Sequence, residues 1–156
     1  MTFSPNVESF SSEDISDMAE QSFNHLEVIE TVIASLQEDQ SAMVSHTDDR
    51  YVWKFKYGTV EVFVQLTGIT DEDTLTVWAT VLKLPAKNEA ELMRKLLELN
   101  WTSTFESRFS IFDNQIVVSS CRTVAELSPA EVSRNITVVA TIADEYDEVL
   151  MNEFGT

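Results

Sequence analysis

Carboxylates are the groups this sequence gathers most densely. TDEDT holds Asp71, Glu72 and Asp73, and ADEYDEVLMNE holds Asp144, Glu145, Asp147, Glu148 and Glu153. Clustered acids are the raw material of a calcium or other hard-cation site, and Asp71, Asp73, Asp144 and Glu148 are the candidate ligands. An EF-hand loop, however, sets acids at alternate positions around a central glycine and closes on a distal glutamate, and neither cluster has that pattern. The plainer reading of 71–73 is a solvated turn. Acids near the end of the last helix oppose its dipole at a cost of a few tenths to about 1 kcal/mol each. A cation, a basic protein segment or simply solvent and salt would offset that cost.

No other residues have the spacing of a reaction centre. The glycines are Gly58, Gly68 and Gly155, so there is no phosphate-cradling loop. His25 and His46 fit no metal-ligand spacing and have no orienting third group, which leaves them surface or capping roles. The single Cys121 has no disulfide partner and reads as core filler rather than a reactive thiol. The expectation is a non-enzymatic chain with no catalytic residue and no cofactor.

A net charge of -17, from 27 acids against 10 bases, repels phosphate backbones and anionic lipid. Neither a nucleic acid nor a membrane is therefore expected as partner. The apolar runs fall short of the roughly 20 residues that span a bilayer. The first residues, MTFSPNVESFSSEDISD, lack the basic and apolar regions of a secretory signal and the arginines of a transit peptide, which places the protein in the cytoplasm. With 156 residues the chain suits one domain that buries its core without staples.

The elements that must position these residues follow from periodicity. Residues 1–23 read as an arm with a short helix starting near Ser12, and 24–156 as one domain. Asn24 and Glu27 make a capping-box pattern before Leu26, Ile29, Ile33 and Leu36, which share one helical face. From Arg50 the period becomes two. Tyr51, Trp53, Phe55 and Tyr57 fall on one side of a strand, Val52, Lys54 and Lys56 on the other, and a tight turn at Tyr57-Gly58 leads into Val60, Val62, Val64 and Leu66. A third strand, LTVWATVLKL, stops at Pro85. Asn88 and Glu91 repeat the capping box before a helix with Leu92, Met93, Leu96, Leu97 and Leu99 on its apolar face. A second hairpin, 105–112 and 115–122, turns at Asp113-Asn114. Ser128, Pro129 and Glu131 then open a long helix carrying Val132, Ile136, Val139, Ala143, Tyr146 and Leu150.

The fold expected is α+β: one antiparallel sheet of about five strands with helices packed on it, in the order α-β-β-β-α-β-β-α. That order, with LLELN followed by FESRFSIFDNQIVVSS and ELSPAEVSRNITVVATIADEYDEVL, resembles the YbjN-domain family of bacteria, whose fold is similar to that of type III secretion chaperones. The resemblance implies a protein that dimerises and holds or regulates a partner; it implies no catalytic site.

The aromatic row Tyr51, Trp53, Phe55 and Tyr57 reads as a core face rather than a base-stacking platform, because only Arg50, Lys54 and Lys56 accompany it. Large residues also stand on the other side of the sheet. Phe63, Trp78 and Leu82 are the candidates for a partner or dimer interface, unless the first short helix covers them. The functional expectation is a protein-binding module, chaperone-like or regulatory and homodimeric, with an acidic cation-binding protein as the alternative.

Overall fold

The computed structural model describes residues 25–48 and 50–156. In chain order its elements are α1 (His25–Leu36), β1 (Met43–Thr47), β2 (Arg50–Tyr57), β3 (Val60–Leu66) and β4 (Thr74–Lys83), then α2 (Glu89–Thr102), β5 (Arg108–Phe112), β6 (Gln115–Thr123) and α3 (Pro129–Phe154). The six strands form one antiparallel sheet in the order β1-β2-β3-β4-β6-β5. The class is α+β as expected, with one strand more than five. The additional strand is β1, whose five residues are all exposed. An edge strand with no buried side leaves no apolar alternation to read.

Period-two patterning decides which sheet face the helices cover. Trp53 and Phe55 of β2, Val62 and Val64 of β3, Val77 and Ala79 of β4, and Ile116 and Val118 of β6 all point to one side and are buried. Helix α3 lies over β4 and reaches β3 and β6, and α1 packs against α3. Its stripe of Val132, Ile136, Val139, Ala143 and Leu150 is buried in the same core as Ile29 and Ile33 of α1. The expected core row therefore holds, with Tyr51 and Tyr57 half-buried at its margins.

The helix starts divide. Ser128 accepts a hydrogen bond from the Glu131 amide at 3.2 Å, with Pro129 in the first turn. Asn88, by contrast, takes a left-handed backbone at φ 47° and makes no side-chain cap bond, so the capping box expected with Glu91 does not form. A side chain leaving a left-handed backbone is aimed away from the amides an N-cap must reach, which needs an extended residue. The Asn24 cap and the arm before it lie outside the described residues. At the second hairpin, Asp113 and Asn114 both have positive φ, as their turn chemistry requires.

Candidate interaction surfaces

The side of the sheet facing away from α1 and α3 carries its own ordered rank. Strand register sets Lys54 opposite Phe63, Phe63 opposite Trp78, Trp78 opposite Ser119, and Ser119 opposite Arg108, one residue per strand across five strands. Phe63 and Trp78 stack with ring centroids 5.3 Å apart and planes at 10°. Phe112 meets Trp78 edge-on at 6.3 Å and is itself 59% exposed. Beneath these rings Val117 is only 3% exposed, although it lies outside the main core. Trp78, Phe112, Val117 and Gln65 line a concavity of about 310 Å³. The Lys54 ammonium sits 5.9 Å from the Phe63 ring centroid and 3.2 Å from the Glu61 carboxylate.

Of the three residues expected on this face, Phe63 and Trp78 are there, half-buried against each other. Leu82 is not. It is 2% exposed and pairs with Ile116, deep under the helices. The register of β4 against β6 slips between Thr80 and Leu82, so Val81 is an extra residue in the ladder. One inserted residue turns every later side chain to the opposite face, and Leu82 enters the core instead of following Trp78 and Thr80.

A second apolar surface lies on α2. Leu92 and Leu96 are buried, but Leu97, expected on the same face, is exposed, as is Trp101 one turn later at 90%. Leu97 and Trp101 flank a shallow hollow with Arg94 and Glu98. Leu97 lies about 100° around the helix from Leu96, beyond the stripe that the sheet covers. Cys121 likewise departs from expectation. It is exposed, opposite Thr76 on the open face, where the strand alternation puts it.

The acidic clusters are held by protein donors. Asp73 accepts from the Thr70 amide at 2.9 Å, the Thr70 hydroxyl at 2.7 Å and the Thr67 hydroxyl at 3.0 Å, and these bonds, the Thr70 hydroxyl first, lower its pKa below the ordinary aspartate value. Asp71 is exposed beside it. Asp144 accepts from the Thr59 amide at 2.9 Å, and Asp147 from the Thr59 hydroxyl at 2.6 Å, which ties α3 to the β2–β3 turn. Glu148 is exposed. Helix α3 runs on to Phe154, so Asp144 and Asp147 do not stand at its end and, contrary to expectation, do not oppose the terminal dipole. Among the described residues no three His, Cys, Asp or Glu side chains are grouped to hold a metal ion. His25 Nε2 lies 2.9 Å from the Leu127 carbonyl, and His46 stacks on Tyr51. No helix among the described residues is long and apolar enough to cross a membrane.

The sequence matches the model of the family YbjN, described as "Putative bacterial sensory transduction regulator", over residues 25–151. The chain belongs to the YbjN family. A solved structure described as "Crystal Structure of the ExsC-ExsE Complex" is similar to this YbjN chain with a TM-score of 0.50 at 14% identity, covering 80% of this chain and 91% of that one. At that identity the likeness is one of fold. No curated protein matches the sequence. Within this YbjN fold, sequence reasoning missed Phe112 and the exposure of Leu97 and Trp101. Phe112 carried a signal: it alternates with Ser110 and Arg108, polar positions that mark the uncovered side.

Proposed function

We propose that this YbjN-family chain is a non-enzymatic protein-binding module, chaperone-like or regulatory, that acts as a homodimer. The observation that carries the reading is the ridge of α2, where Trp101 is 90% exposed beside exposed Leu97. Large apolar side chains grouped in water mark association surfaces, because covering each contributes about 1.5–3 kcal/mol. The ridge suits a second copy, and the separate aromatic sheet face with Phe63 and Trp78 is left for a partner. A binding role is supported by the description of the YbjN family as a regulator and by a structural neighbour that is a complex.

Light scattering after size exclusion tests this on the wild type, Trp101→Asp and Trp78→Asp. The expected result is a wild-type dimer that Trp101→Asp converts to a monomer with unchanged circular dichroism, while Trp78→Asp remains dimeric. A wild type that stays monomeric at every concentration overturns the homodimer. Dissociation by Trp78→Asp alone would move the self-association to the sheet.

A further inference from the structure

The open sheet face is charged against the rest of the molecule. Arg50, Lys54, Lys56, Lys83 and Arg108 occupy its outward positions, and Glu61 is the one acid at the open-face positions of the six described strands. Half of the 10 bases in the chain thus stand on one face with one of the 21 acids among the described residues. The other five bases share the rest of the described residues with 20 acids. None of these five cations is buried.

We propose that this face is a docking track for an acidic, aromatic-bearing, extended polypeptide segment, a partner class that deepens and rests on the protein-binding reading. The rank Lys54–Phe63–Trp78–Ser119–Arg108 sets its geometry. Four strand spacings separate Lys54 from Arg108, about 19 Å at roughly 4.8 Å each. An extended chain covers that distance in about six residues at roughly 3.3 Å per residue. The segment therefore carries acids at i and i+6, the first at Lys54 and the second at Arg108, with aromatic or aliphatic side chains between them. Those apolar groups lie on the Phe63–Trp78 stack and enter the concavity over Val117 beside Phe112.

Glu61 already shares Lys54, and two backbone carbonyls, of Phe105 and Ser107, already accept from Arg108. Glu61 offsets one of the five positive charges and the neutral carbonyls offset none, so the face stays net positive, and each contact fixes the position of the group it holds. A segment with two to four acids feels this local field within a Debye length of about 8 Å. A nucleic acid carries a charge at every phosphate and extends past the face toward the acidic remainder of a chain of net charge -17, which repels it.

The test is fluorescence anisotropy on the full chain with three labelled probes. One is a twelve-residue peptide with aspartates at i and i+6 flanking two phenylalanines, the second replaces both aspartates with lysine, and the third is a twelve-nucleotide oligouridylate. The expected result is that the aspartate peptide binds at least about fivefold more tightly than the lysine peptide, and that Lys54→Glu with Arg108→Glu inverts the preference. Added salt weakens the aspartate complex. Equal binding of the two peptides, no effect of the double reversal, or tightest binding of the oligouridylate overturns the proposal. So does a wild-type dimer dissociated by the double reversal, which would assign the face to a second copy. Because the reversed residues are solvent-accessible, an unchanged melting curve separates these outcomes from misfolding. The Trp101→Asp experiment, on another surface, decides the homodimer independently of this result.

Discussion

Gly58 and Asp144 form one structural unit across 86 residues of sequence. Gly58 has φ +54°, and a Cβ placed there would collide with Asp144 Oδ1, the oxygen that accepts the Thr59 amide. Gly58→Ala is therefore expected to cost about 2 kcal/mol, from left-handed strain plus the displaced hydrogen bonds, as a lower urea midpoint with an unchanged slope. Asp144→Ala should cost about half as much, since it removes the bonds without the strain. Asp73 gives a pH signature. Its three donors from Thr70 and Thr67 hold its folded pKa below the ordinary 3.8, and Arg134 depresses that of Glu106 below 4.5. A depressed folded pKa contributes stability that is present above the unfolded value and is lost as pH falls through the folded one. Thermal melts should therefore weaken as pH drops through and below about 4, and Asp73→Asn should flatten part of that slope while lowering stability at neutral pH.

At the scale of elements, the bulge in β4 distributes roles along one strand. Before it, Trp78 belongs to the open face; after it, Leu82 belongs to the core. Leu82→Ala should then cost about 2–4 kcal/mol by opening a cavity among side chains that relax only partly. Phe112→Ser, on the open face of an edge strand, should change stability by no more than about 1 kcal/mol. Chemical denaturation of the two variants checks the contrast, and similar losses would contradict the assignment of faces. The same comparison explains why sequence alternation misplaces Leu82. LTVWATVLKL alternates without a glycine, proline or other visible break, so strict period two carries Leu82 to the side of Trp78. Conversely, α3 is legible throughout, because Ser128, Pro129 and 26 residues of consistent helical stripe all point to one answer.

For the whole molecule, a charge of -17 spread over the surface works against the compact state. Raising monovalent salt from about 0.02 to 0.5 M is expected to raise the melting temperature, since screening reduces that repulsion more than it weakens the few surface ion pairs. A fall in melting temperature would mean that pairs such as Lys95–Glu153 outweigh the net repulsion. The sequence by itself determined the class of fold, the core face of β2 and β3, the Asp113-Asn114 turn and the buried stripes of α1 and α3. Those features rest on local periodicity and turn chemistry, which each segment carries alone. Only the tertiary structure decided that β1 joins the sheet, that Leu82 turns inward, that Trp101 and Cys121 stand in water, and that Asp73 and Asp144 hold threonines. Each depends on strand register or on a neighbour distant in sequence. The gathering of five cations around an aromatic rank is of the same kind: residues 50 to 108 supply it one strand at a time, and pairing alone brings them into line.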